Sequence, residues 1–404
     1  MSCSIWLWRR APLVDRVVPC AARVLSRRLE RARRLGSIET VDVFLIMPGL
    51  LNTPASTRHA LDRVHVTLCA HSRPRTLAQK GLRVTRAAPK HDPRREPLDL
   101  SAVTPIAIGE RKNLVTRGDF GTLVDPHGSI ADLIASFPSI LAGDELRAAI
   151  EAVARARRAG RPVWAAMGGH VVKVAQGPAL IDLLDRGIVT GFAMNGATAI
   201  HDLELALIGE TSENVEVNIA DGSFGMAAET ADLFRVAASR SADGIGLGQA
   251  LGEAIEERQL PHRSLSMLAA AARAGAPCTV HVGFGTDVVH MHPGVLDAAL
   301  GEASALDFRI LCAHATDLGG GCWWNIGSAV ILPEVFLKAV NVARNLGHKL
   351  EGITAINFDM LKHYRTSVNV LSRPVGRGIA ITGHHELLVP LFRAGVLLAM
   401  EEGS

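Results

Sequence analysis

From Val103 onward the apolar residues fall into two recurring patterns. Asp144 to Arg158 spaces Leu146, Ile150 and Val153 three or four apart, which is one face of a helix. Pro162 to Met167 is an unbroken apolar run of strand length that stops at Gly168-Gly169, so a buried strand is predicted there. The alternation continues to the end of the chain. Helices are predicted at Pro178 to Asp185, Ala199 to Ile208, Ile331 to Asn345 and Glu386 to Leu398. Strands are predicted at Ile188 to Met194, Cys278 to Val282, Phe308 to Ala313, Ile353 to Phe358 and Ile379 to Thr382. Met226 to Ala274 is Ala-rich and helical in pattern, a layer set between two halves of one domain and closed by Gly275. Strands separated by helices of about 10–15 residues imply crossover connections, hence an α/β fold: a parallel sheet flanked by helices on both faces.

Before Val103 the pattern fails. Residues 52–100 are rich in Pro, Arg, His and Thr with neither periodicity, which predicts loop or disorder, preceded by a short strand at Val41 to Ile46. The first 36 residues are Arg-rich and poor in acid, with Arg27, Arg28, Arg31, Arg33 and Arg34 close together. Two readings stand, an amphipathic targeting segment or an upstream start codon wrongly taken as the first. The expected organisation is a basic, poorly ordered extension over 1–102 and a single α/β domain over 103–404.

Composition narrows the function classes. The 404 residues are 48% hydrophobic, enough for a substantial core. Aromatics are 4%, with Tyr364 the single tyrosine, which disfavours nucleic-acid binding by base stacking. No apolar run reaches the roughly 18 residues of a membrane span. The overall charge of +3 conceals a split. Residues 1–112 hold 21 Lys+Arg against 9 Asp+Glu, and residues 113–404 hold 22 against 31, so the body carries −9. An acidic body disfavours a polyanion and suits a cationic amine. The six cysteines form no C-x-x-C pair and read as free thiols of a reducing cytoplasm.

Chemistry gathers where strands are predicted to end. In an open parallel sheet, ligands bind outside the carboxyl ends of the strands. Those places hold GGHVVK (168–173), NGATAIHD (195–202), HVGFGTDVVHMH (281–292), GGGCWWNIGS (319–328), NFDMLKHYR (357–365) and TGHHE (382–386). Nine of the 16 histidines lie in or beside these segments: His170, His201, His281, His290, His292, His314, His363, His384 and His385. Gly168-Gly169 either permits a tight turn or lets bare amides approach a phosphate. Lys173 is either a surface lysine or an anion contact or amine nucleophile. His201-Asp202 is either a helix pair or a proton-transfer pair. Thr286-Asp287 either caps a turn or offers an acceptor to a ribose hydroxyl or a substrate amine. His290 and His292 share one side of an extended segment and could serve a metal, although no H-E-x-x-H spacing supports one. Trp323-Trp324 reads as core or subunit contact ahead of a stacking platform, and Glu386 suits the positive end of the last helix.

The order of these segments resembles deoxyhypusine synthase. Gly168 to Leu207 is similar to the first half of that family's nicotinamide-binding core. Ala276 to His292 resembles its later cofactor loop with Thr286-Asp287 on the matching positions, Gly319-Gly320-Gly321 its triple-glycine turn, and Val375 to Leu398 its last strand and helix. The resemblance implies a Rossmann-like fold, NAD, homotetramers with sites at subunit interfaces, and aminobutyl transfer from spermidine through an imine on a lysine after the triple glycine. Here that position is Trp324, followed by Asn325 where the family has histidine. An indole cannot form an imine. The substrate-binding turn retains one acid at most, Asp202 after His201. The implied reading is a divergent member that keeps the cofactor site and has changed the chemistry, with Lys173 or Lys362 able to supply an amine from elsewhere.

The expectation is therefore a cytoplasmic, homo-oligomeric, NAD-dependent enzyme acting on an amine or alcohol. Gly168, Gly169, Asn195, Gly196, Thr286, Asp287, Gly319, Gly320 and Gly321 would line the cofactor. His201, Asp202, His290, His292 and Lys173 would carry catalysis. The alternatives are a metal-dependent hydrolase or lyase using His290 and His292, and a non-catalytic nucleotide-binding sensor.

Overall fold

Short apolar runs bounded by Gly and Pro become the strands of one parallel sheet. The computed structural model describes residues 5–8, 43–46, 97–295 and 297–402. The chain divides into two compact units, 1–110 and 111–404. In the first, β1 (Ile5–Trp8) pairs in parallel with β2 (Val43–Ile46), which falls within the expected strand at Val41 to Ile46. The rest of the segment expected to be loop or disorder, up to residue 96, lies outside the described residues.

The second unit opens with α1 (Ile130–Ser136) and α2 (Leu141–Arg158). Strand β3 (Val163–Met167) leads through α3 (His170–Lys173) and α4 (Gly177–Asp185) to β4 (Gly191–Asn195). Helix α5 (Gly196–Ile208) follows, then α6 (Val215–Asp221), α7 (Ala228–Ser239), α8 (Leu247–Glu257) and α9 (Met267–Ala274). The last three are the helical layer expected over 226–274. Strand β5 (Cys278–His281), α10 (Asp297–Ala315), β6 (Cys322–Ile326), α11 (Ile331–Asn345), β7 (Thr354–Asp359), β8 (Arg377–Thr382) and α12 (His385–Glu402) complete the unit.

The sheet order is β5-β4-β3-β6-β7-β8 and every pairing is parallel. Winding proceeds outward from β3 through β4 to β5, then returns to start again at β6, as in a doubly wound nucleotide-binding sheet. Strand alternation builds a core on each face. Val163, Ala165, Met167, Trp324, Ile326, Ile356 and Phe358 pack against α2, α4, α5 and α12. Trp164, Ala166, Trp323 and Ala355 pack against α11 and the end of α10. Trp323 and Trp324 are thus core residues of opposite faces: Trp323 stacks on Phe336 at 4.4 Å and Trp324 meets Phe392 at 4.7 Å.

One predicted strand is a helix. Phe308 to Ala313 belongs to α10, and the fourth strand to be formed is Cys322–Ile326. Within FRILCA only Leu311 and Cys312 are buried while Arg309 and Ala313 are exposed, and six residues are too few to carry a period that separates helix from strand.

Buried carboxylates tie the helical layer to this frame. Asp307 of α10 accepts from the Gly248 and Val280 amides at 2.9 and 2.7 Å, joining the start of α8 to β5. Burial raises its pKa to about 7, against which the Val280 and Gly248 amides pull.

Candidate active site

The winding reverses between β3 and β6, so a crevice is expected outside their carboxyl ends. After β3 the chain turns at Gly168-Gly169 into the four-residue α3. A Cβ on Gly168 would lie 2.4 Å from the Gly327 carbonyl oxygen, so the turns after β3 and β6 touch backbone to backbone. Gly327 has a φ of +62°, and a Cβ there would lie 2.7 Å from Cε1 of His385. Only glycine suits both demands. His385 opens α12 and is buried at 1% exposure. Its Nδ1 is 3.0 Å from Nδ1 of His170, and its Nε2 is 3.2 Å from the Phe358 carbonyl oxygen. The turns after β3 and β6, the end of β7 and the start of α12 therefore converge on two imidazoles.

A second set of contacts runs outward from the same turn. A Cβ on Gly169 would meet Cδ2 of His201 at 3.1 Å and Ala197 at 3.3 Å. His201 lies on α5 with Nδ1 2.8 Å from the Thr211 hydroxyl and 3.3 Å from Glu204 Oε2. Thr211 donates to the same Glu204 oxygen at 2.5 Å. Burial raises the Glu204 pKa, but the hydrogen bonds from His201 and Thr211 outweigh it and hold the group a carboxylate. Asn195 ends β4 and caps α5, accepting from the Thr198 amide at 2.9 Å. A Cβ on Gly196 would run into the Asp287 carboxylate, which accepts from the Gly283 amide at 2.7 Å. Thr286 closes the same turn by donating to the Gly283 carbonyl at 2.8 Å. Gly168, Gly169, Asn195, Gly196, His201 and Asp287 thus form one line of contacts along the ends of β3 and β4.

Other predicted residues are elsewhere or engaged. Asp202 is fully buried beneath α9, where it accepts from the Ser266 hydroxyl at 2.5 Å and from the Met267 and Leu268 amides at 2.8 and 3.1 Å. Burial raises its pKa to about 6, opposed by those bonds. It holds a helix end and does not reach the crevice. His290 faces Asp297 at 3.4 Å and packs on Phe284 at 4.6 Å, while His292 meets the Gly225 carbonyl at 2.8 Å, so the two rings do not converge. Among the described residues, no group of three His, Cys, Asp or Glu side chains could hold a metal ion. Lys173 is exposed.

The triple glycine is displaced by a full strand length from where it was expected. Gly319, Gly320 and Gly321 precede β6; the Gly320 amide bonds the Glu351 carbonyl, and Cys322 begins the ladder on Pro162, ahead of β3. These glycines lie at the amino ends of the strands and cannot line the crevice with Gly168. The misplaced strand at Phe308 to Ala313 caused this error.

Sequence reasoning had noted His170 and His385 without giving them a role, and passed over Glu204 and Thr211. The available signal was a histidine three residues past β3 and another three residues past β8, since both strands end at the same edge. A cavity of about 370 Å³ opens farther along that edge, lined by His281 at the end of β5 with Phe284, Ser304, Phe308, Ile331 and Glu334.

No family model and no curated protein matches the chain. Solved structures match at low identity. A candidate LOR/SDH protein from Methanococcus maripaludis S2 is 15% identical, with 73% of this chain and 76% of that chain covered and a TM-score of 0.43. AgrE, in a ternary complex with ornithine and NAD+, is 13% identical, covering 66% of this chain and 34% of its own, with a TM-score of 0.43. A candidate deoxyhypusine synthase from Entamoeba histolytica is 10% identical, covering 69% and 96%, with a TM-score of 0.40. The chain spans about a third of the length of AgrE. Among the described residues, no helix is long and apolar enough to cross a membrane.

Proposed function

We propose that this protein is an NAD-dependent enzyme that oxidises an amine or alcohol in the crevice between the ends of β3 and β6. The carrying observation is the reversal of winding at that point, where the Gly168 and Gly327 turns touch and two imidazoles meet. The residues present suit a dinucleotide. Gly168-Gly169 stands at the first turn after β3, the place where a sheet of this winding receives a dinucleotide. Asp287 stands against Gly196 at the end of the next strand, where a carboxylate can accept from ribose hydroxyls. When bound, NAD+ supplies the hydride acceptor. The chain's own part is to orient the substrate and to take up the proton released from its hydroxyl or ammonium group, for which His170 and His201 flank Gly169.

Thermal unfolding with added nucleotide tests this reading. A ligand at 100 times its Kd adds about 2.7 kcal/mol. NAD+ at millimolar concentration is expected to raise Tm in the parent and not in Asp287→Ala. No shift with any pyridine nucleotide overturns it.

A further inference from the structure

The hydrogen positions on the two facing imidazoles follow from their partners. A carbonyl oxygen only accepts, so Nε2 of His385 carries the hydrogen that points to Phe358. Burial lowers the His385 pKa and the facing His170 ring adds to that, against the pull of the Phe358 carbonyl, Asp359 and Glu386. The ring is therefore neutral near pH 7, and its Nδ1 is a bare acceptor. One hydrogen occupies the 3.0 Å between the two Nδ1 atoms, and it must belong to His170. A neutral His170 with hydrogen on Nδ1 has a lone pair on Nε2. That nitrogen takes no hydrogen bond from any described residue, and its ring is only partly buried.

We propose that His170 Nε2 is the proton acceptor of the crevice and that His385 is the positioning residue that keeps it bare. The proposal rests on the reading of the crevice given above. In the step, the Nε2 lone pair forms an N–H bond as an O–H or N–H bond of the substrate breaks, and that bond's electron pair stays on the substrate oxygen or nitrogen. The imidazolium keeps its Nδ1 hydrogen bond to His385 and returns the proton to solvent. His201 differs in place. It stands against the β4 side of the turn with its Nδ1 directed at Thr211 and Glu204, whereas His170 is tied through His385 to Gly327 and so to both halves of the sheet.

Long-range 1H–15N correlation spectra of the full-length protein labelled with 15N-histidine test this, with His170 assigned by its loss in His170→Gln. The parent at pH 7.5 is expected to show His170 protonated at Nδ1 and bare at Nε2, with His385 the reverse. His385→Gln should preserve the His170 tautomer, because an amide oxygen can accept from Nδ1–H while its NH2 reaches Phe358. His385→Leu should let the two tautomers mix. A parent His170 protonated at Nε2 overturns the proposal, as does a His170 tautomer unchanged in His385→Leu. If the Leu variant does not fold, the parent and Gln spectra decide. The cofactor reading fails separately: the NAD+ thermal shift is expected in both parent and His170→Gln, and its absence from both overturns the crevice assignment even where the tautomer is as stated.

Discussion

Two glycine turns stand at opposite ends of the neighbouring strands β3 and β6. Both are dictated by close packing. Gly168 is pressed on the Gly327 carbonyl, and a Cβ on Gly321 would lie 2.4 Å from the Pro162 carbonyl oxygen. In sequence they look equally suited to cradle a phosphate. In space only the Gly168 turn stands at the carboxyl ends of the strands, the end where a parallel sheet meets its ligands. A glycine motif therefore carries functional meaning only once the strand beside it is correctly placed.

Substitution separates the two turns. Gly168→Ala and Gly321→Ala should each cost roughly 1–3 kcal/mol in denaturant unfolding, since both force backbone apart. Gly168→Ala should also abolish the NAD+ thermal shift, while Gly321→Ala should leave it intact; equal loss in both would erase the contrast between the two ends. The carboxyl edge should also carry a pH signature. His281 ends β5, and burial pushes its pKa down to about 3. Above the ordinary histidine value both folded and unfolded states are neutral there. Below it the unfolded chain binds the proton and the folded state does not, so stability is lost as pH falls from about 6.5 towards 3. Relative to the parent, His281→Gln should gain about 1–3 kcal/mol at pH 4.5 over its value at pH 7.5. A pH-independent difference would remove that histidine from the acid sensitivity. Buried Asp202 and Asp307, whose pKa values are raised, act in the opposite sense in both proteins and cancel from the comparison. The smallest effect is expected at Lys173, exposed on α3: Lys173→Ala should change stability by less than about 0.5 kcal/mol and leave the NAD+ shift in place. Loss of that shift would restore the lysine as an anion contact.

Much of the frame was legible because its signals are local. Pro162 to Met167 and Ile353 to Phe358 are apolar runs between breakers, and Asn195 caps the helix that follows it. The placement of CWWNI was not legible, because a fully buried strand and a segment of a half-buried helix share the same composition. At the site, adjacency in sequence misled. His201 and Asp202 are neighbours along the chain, yet one ring edge meets Gly169 and the other side chain turns beneath α9. The partner of His170, His385, lies 215 residues away on another helix, and only the three-dimensional assembly pairs them; Glu204, by contrast, stands three residues from His201 on the same helix, a spacing the sequence offered.

The buried carboxylates beneath the helical layer bear on how the chain acquires its structure. The first amides of α8 and α9 find acceptors in Asp307 and Asp202, 59 and 66 residues away at Gly248 and Leu268. Ser266 caps α9 locally through the Ala269 amide, but the Gly248, Met267 and Leu268 amides turn to carboxylates on other helices. The starts of both helices are thus held by contacts of long sequence separation, to α10 and α5. The Gly248, Met267 and Leu268 amides should therefore exchange with solvent only as those contacts to α10 and α5 open, which native-state hydrogen exchange can read.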